Sequence, residues 1–171
     1  MRAQFSALLL LALLGACSGG SSAPQADPAA AAASNLDRLR ADAAAVAARP
    51  EAKDDIVEVQ HILISFHGAT RMPPTVTRTR EEAEVLAADV YAQVLAGGDF
   101  TALMEQYTDD KGSSGIYRMS QNPAVPADWP RKGMAAAFGD VGWRLAVGEI
   151  GPAAFDPQKS PFGWHLIKRL K

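Results

Sequence analysis

Only one cysteine, Cys17, occurs in the 171 residues. An intrachain disulfide is therefore excluded, and the fold must hold by packing alone. The chain has three histidines, at 61, 67 and 165, and their spacing lacks a metal-ligand pattern. No glycine-rich phosphate loop and no nucleophile elbow is present, which gives no footing for nucleotide-dependent or serine-hydrolase chemistry. The formal net charge is −2, and no block of like charges forms a basic tail, so nucleic acid is not an expected partner. No internal repeat is visible. The apolar run Leu8–Leu14 is too short to span a bilayer.

That short run sits where a targeting segment would. Met1-Arg2 supplies a positive charge, the leucines form an apolar core, and small residues follow. The tetrapeptide Leu14-Gly15-Ala16-Cys17 resembles the lipobox of bacterial lipoproteins. The resemblance implies a signal peptide over 1–16, cleavage before Cys17 and lipidation of that cysteine, which would anchor the chain to a membrane. By resemblance to Gram-negative lipoproteins, Ser18 after the cysteine implies outer-membrane sorting, with the protein facing the periplasm. The alternative is an ordinary signal peptide with an incidental cysteine.

Residues 17–54 read as a lipid-anchored tether with a short helix. Ser18–Ser34 is Gly, Ser, Ala, Pro and Gln with almost no bulky apolar residue, too little to offset its ordering entropy. Asn35–Ala48 favours a helix through its alanines, Leu36, Leu39 and Val46, and Pro50 ends it. The helix either packs on the domain or extends the stalk, and the composition favours the stalk. The folded domain spans 55–171.

Within that domain two short apolar runs each carry a histidine in mid-strand. They are Val59–Phe66, with His61, and Phe162–Lys168, with His165. Val57, Val59, His61 and Leu63 share one face of the first strand. An imidazole where an apolar side chain is expected marks a candidate paired site. Between the strands, Thr79-Arg80-Glu81-Glu82 is a capping box. It opens a helix with Ala83, Leu86, Val90 and Val94 on one stripe, closed by Gly97-Gly98. Asp99 caps a second helix with Phe100, Leu103 and Tyr107 inward. Gln121–Arg131 holds three prolines and reads as an irregular loop. Met134–Leu145 is a weak helix interrupted by Gly139 and Gly142. The order strand, helices, strand predicts an α+β domain.

These blocks, in this order, resemble the parvulin family of peptidyl-prolyl cis–trans isomerases. The resemblance is carried by Gln60-His61-Ile62-Leu63-Ile64, Thr77–Ala83, Gly98-Asp99-Phe100, Tyr107-Thr108-Asp109-Asp110, Gly133-Met134, Phe138, Gly148–Pro152 and Ser160–Ile167. It implies a parvulin-like fold of the FKBP-like superfold, a four-stranded antiparallel sheet surrounded by helices, with the two histidine strands as central neighbours. It implies His61, Asp110, His165 and Ser160 as a hydrogen-bonded catalytic network. Met134 and Phe138 would form the floor of a proline slot, and Tyr117 a further apolar wall. His67 lies outside the motif. Asp110 stands where many members carry cysteine, so the resemblance implies no covalent step, no metal and no cofactor. The partners it implies are unfolded or proline-containing polypeptide clients; the single short domain favours a monomer.

Two departures from the family pattern bear on function. Phosphate-directed members carry a basic cluster after the first strand, whereas here Ser65 replaces a basic position and Arg71 is the loop's cation. No strong phosphoserine-proline preference is expected. The segment Ser113–Arg131 replaces the family's Gly-Gly-Asp-Leu-Gly stretch with a longer, proline-rich insertion carrying Trp129. Two readings follow: an isomerase acting on exported or envelope proteins, or a catalytically weak or inactive parvulin-fold chaperone or peptide-binding module. A purely structural envelope lipoprotein is the third.

Overall fold

The computed structural model describes residues 27–171. The expected signal peptide, the lipobox with Cys17 and the first part of the expected tether lie outside the described residues. Helix α1 runs Pro28–Ala47 and is followed by strand β1, Ile56–Ile64. Helices α2 (Arg80–Leu95) and α3 (Phe100–Tyr107) come next, then β2 (Ile116–Ser120) and β3 (Trp129–Pro130). A 3-10 turn at Arg131–Gly133 leads into α4 (Ala136–Arg144), and β4 (Ile150–Ala153) and β5 (Trp164–Arg169) close the chain.

The strands form one sheet in the order β3-β2-β1-β5-β4. β1 is central and antiparallel to both β2 and β5, and β5 is antiparallel to β4. The sheet thus has one strand more than the four expected. The extra strand is the two-residue β3, which pairs in parallel with the end of β2, Met119 opposite Trp129 and Ser120 opposite Pro130. The proline-rich stretch is therefore tied to the sheet at its end rather than irregular throughout.

The two faces of the sheet bury different sets. Ile62, Ile64, Trp164 and Leu166 pack against α2 and α3 through Ala83, Ala87, Val90, Val94, Phe100 and Leu103. On the other face Val57, Val59, Met119 and Ile167 pack against α4 through Phe138, Val141 and Trp143. The alternation along β1 is what a strand buried on both sides requires. The Thr79 capping box forms in full: the Thr79 hydroxyl accepts from Glu82 N, and the Glu82 carboxylate accepts from Thr79 N. Asp99 caps α3 by accepting from Ala102 N.

Helix α1 differs from the expected stalk in two ways. It starts at Pro28 rather than Asn35, because Asp27 caps it by accepting from Ala29 N and proline fits the first helical turn. It also docks on the domain. Leu39 and Val46 are buried, and three polar links reinforce them across α2. Asn35 donates to Asp89, Arg40 pairs with Glu84, and the Tyr91 hydroxyl donates to Asp42. Two apolar side chains alone would leave this helix marginal; the cross-helix partners are far away in sequence and invisible to local composition. Residues 28–47 are thus part of the folded body and not of a tether.

Gly139 and Gly142 do not interrupt α4, which is continuous across both. Gly142 lies directly on the sheet, where an added Cβ would come 3.2 Å from Met119 Cε and 3.3 Å from Val59 Cγ1. The glycine lets the helix approach the strands closely, and this sets the height of Phe138 and Met134 above β1 and β5.

Candidate active site

Pairing of β1 with β5 sets Leu63 opposite His165 and His61 opposite Ile167. Both histidines therefore point from the same face, one diagonal step apart. Their Nδ1 atoms lie 3.1 Å from one another, and both side chains are buried. His61 Nε2 lies 3.2 Å from Asp110 Oδ2, and the Tyr117 hydroxyl donates to that same oxygen at 2.9 Å. A chain runs His165–His61–Asp110–Tyr117.

Each charge in the chain has a physical cause. Burial, then the neighbouring His61, push the His165 imidazole down to about 3, so it is neutral. Hydrogen bonds from His61 and Tyr117 hold the Asp110 carboxyl below its ordinary value against the opposing effect of burial. Burial raises the Tyr117 phenol, which therefore keeps its proton and donates. An ionised Asp110 only accepts, so His61 carries a proton on Nε2. In the neutral ring its Nδ1 then accepts from Nδ1–H of His165. That assignment leaves His165 Nε2 as a buried lone pair with no partner.

Asp110 is aimed by the turn that precedes it. The Thr108 hydroxyl accepts from Leu63 N at 3.1 Å and from Asp110 N at 3.3 Å. Asp109 N donates to Leu63 O, and the Asp109 carboxylate accepts from Ser65 N and pairs with Arg78. The run Thr108-Asp109-Asp110 is thus a polar clamp fastening the end of α3 to β1. Sequence reasoning missed Thr108 and Asp109, although hydroxyl and carboxylate side chains in a turn after a helix are the available signal.

Above the histidines lies a cleft of about 310 Å³. Its apolar lining includes Leu63, Met134, Ala135, Phe138 and Phe162, with Trp129 on one wall. The Phe138 ring stands edge-on to His61 at 5.1 Å, His165 at 5.3 Å and Tyr117 at 5.6 Å between centroids. The insertion leaves this cleft open: Trp129 borders it and does not fill it. Arg71 also lines the cleft, in a loop where it alone among non-glycine residues has a positive φ, 54°.

The structure therefore brings together His61, His165, Asp110, Tyr117, Met134 and Phe138. Ser160 is not among them. Its hydroxyl donates to Gly163 O at 3.0 Å and its backbone bridges to Asp156. The hydroxyl that does join the chain is that of Tyr117, expected only as an apolar wall. Among the described residues no cluster of histidine, cysteine, aspartate or glutamate suits a metal ion.

The model of the PPIC-type PPIase domain family matches residues 46–171. The chain belongs to the parvulin family. Over 120 residues this parvulin is 31% identical to the chaperone SurA of Pseudomonas fluorescens, covering 68% of this chain and 23% of that protein. Over 85 residues it is 31% identical to the foldase protein PrsA 4 of Bacillus cereus, covering 50% of this chain and 27% of that one. The chain thus spans under a third of the length of these curated relatives. Among solved structures, the peptidyl-prolyl isomerase ESS1 of Candida albicans superposes with a TM-score of 0.54 at 20% identity, over 80% of this chain and 75% of that one. That likeness is one of fold. The family match begins at residue 46, at the end of α1.

Proposed function

We propose that this parvulin domain catalyses cis–trans isomerisation of X-Pro bonds in exported or envelope polypeptides without forming a covalent bond. The observation that carries the reading is the His165–His61–Asp110 chain running beneath an open apolar cleft floored by Met134 and Phe138.

Rotation about a peptide bond has a barrier of roughly 18–20 kcal/mol, and the two X-Pro isomers differ by only about 0.5–1 kcal/mol. The catalyst need only favour the twisted amide over both planar forms. Met134 and Phe138 grip the proline ring, and the Tyr117 ring closes one side. With the ring held, the carbonyl preceding it is free to swing. The histidine pair and Asp110 fix the polarity beside the amide, as a hydrogen-bonded chain of rings and carboxylate does in a low-dielectric site. Ser160 serves this reading indirectly, by closing the turn that leads into the His165 strand.

Exchange between cis and trans forms of short proline peptides, followed by NMR, tests the proposal. Exchange accelerated by the full chain and lost in Met134→Ala supports it. Exchange no faster than background in the presence of folded protein rejects it. A second reading, a chaperone or binding module that grips proline-containing segments without turnover, is favoured by one observation: the insertion places Trp129 on the cleft wall. Peptide binding at the cleft without exchange would select it. The relatives named as a chaperone and a foldase support polypeptide clients under either reading.

We further infer that the chain is a monomer held at the outer membrane, facing the periplasm, by lipid on Cys17. The Leu14-Gly15-Ala16-Cys17 sequence after a short apolar run supports this. Incorporation of labelled fatty acid in cells, abolished by Cys17→Ser, is the test.

A further inference from the structure

We infer that the face made by Trp129 and Tyr117 is a side-chain subsite that takes an aromatic residue adjacent to the proline. The inference rests on the proline-cleft reading above and names a client preference for it.

Of the three tryptophans, Trp143 and Trp164 are buried, while Trp129 is 48% exposed. Trp129 thus presents a half-exposed aromatic ring at the rim of the cleft. The ring is not loosely held. β3 ties it to β2, with Trp129 opposite Met119. Arg118 donates to Pro126 O at 2.8 Å, and the Ser120 hydroxyl donates to Asn122 O at 2.7 Å, fastening the insertion at two further points. Just beyond, the Arg131 guanidinium is shared between Glu51 and Asp140. A ring presented from a braced loop loses little freedom on binding.

The direction of the aromatic surface suggests its occupant. Phe138 lies 5.6 Å from Tyr117, and Tyr117 lies 5.8 Å from Trp129 at a tilt of 48°. A line of rings thus leads outward from the floor that would hold the proline. Neighbouring residues are 3.8 Å apart between Cα atoms, so the side chain next to a seated proline meets this line. Offset and tilted ring contacts at such separations favour another aromatic ring over an aliphatic group of equal size. An acidic neighbour would be drawn to Arg71 alone and would face the ionised Asp110.

The test uses the full chain and two peptide series, Ala-X-Pro-Ala and Ala-Ala-Pro-X, with X as Ala, Leu, Phe or Glu. Exchange rate and peptide affinity are both read by NMR. In at least one series Phe should exceed Ala by about 2- to 12-fold in either readout, the value of an aromatic pair beyond its burial. Trp129→Ala should bring that ratio to about one, and Trp129→Phe should keep it. An unchanged ratio in Trp129→Ala, or a preference for Glu over Phe, overturns the subsite while leaving the proline cleft standing. Absence of accelerated exchange for every peptide overturns the isomerase reading instead. The affinity ratio then decides the subsite by the same criterion.

Discussion

Comparing wild type with His165→Asn as the pH falls from 6.5 to 4.5 isolates one residue, His165, from the chain's other two histidines. In the folded chain burial holds its imidazole neutral, with the ordinary value lowered to about 3; in the unfolded chain it takes up a proton near 6.5. Between these values the unfolded state binds the extra proton, so stability rises with pH. The contribution is fully present above 6.5 and is lost as the pH falls toward the folded value. Each full unit is worth about 1.4 kcal/mol; because the unfolded imidazole is already half protonated at 6.5, the two-unit step costs about 2 kcal/mol, a large share of the roughly 5–15 kcal/mol that holds a domain together. The window is chosen to spare the carboxylates. Asp110, Glu51 and Glu149 are lowered from ordinary values of 3.8, 4.5 and 4.5, so their stabilisation is lost only below about 4.5. Urea unfolding of wild type and His165→Asn at pH 7.5, 6.5, 5.5 and 4.5 reads the effect. Asparagine keeps an N–H donor toward His61 and does not titrate. The variant is less stable throughout, but the gap between the two proteins should narrow by about 2 kcal/mol on going from pH 6.5 to 4.5. Parallel curves, or an imidazole signal of His165 titrating near 6 by NMR, would refute the reasoning.

Three further outcomes follow from the geometry. Phe138→Ala empties a buried ring site shared by both histidines and should lower stability by about 3–5 kcal/mol in urea unfolding. Met134→Ala, at a half-buried cleft position, should reduce kcat/KM for proline peptides at least ~10-fold with a smaller stability loss than Phe138→Ala. Tyr117→Phe keeps the ring and removes one of the bonds that hold the Asp110 carboxyl low. The Asp110 value should rise, and with it the pH at which activity is lost on the acid side, read as a pH–rate profile beside the carboxyl carbon shift of Asp110.

The local signals in the sequence were strong where the chemistry was local. The capping box at Thr79, the Asp99 cap and the alternation through Val57, Val59 and His61 each rest on neighbours within four residues, and each is present as read. What escaped depended on partners far along the chain. The docking of α1 turns on Asp89, Glu84 and Tyr91, some fifty residues away. The continuity of α4 turns on Met119 and Val59 beneath Gly142. At the site, the family pattern brought His61, His165, Asp110, Met134 and Phe138 to one place. It misjudged two hydroxyls for a common reason. A hydroxyl's partner is set by which backbone or side-chain atom lies within about 3 Å, and neither the Gly163 carbonyl beside Ser160 nor the Asp110 carboxylate beside Tyr117 is indicated by residue type.

The strand order has a consequence for the proposed action on unfolded chains. A sheet ending in free N–H and C=O groups is a template on which extended polypeptide can add as another strand. Both outer strands here contain a proline, Pro130 in β3 and Pro152 in β4. Proline has no N–H to offer, and within a sheet it is confined to edges for that reason. β3 is only two residues long, and α1 packs against β4. Neither border of the sheet therefore offers a long row of donors for indiscriminate pairing. Under the proposed function, a client meeting this domain is left the cleft over Phe138 as its place of engagement, so selection by side chain is protected from capture by backbone.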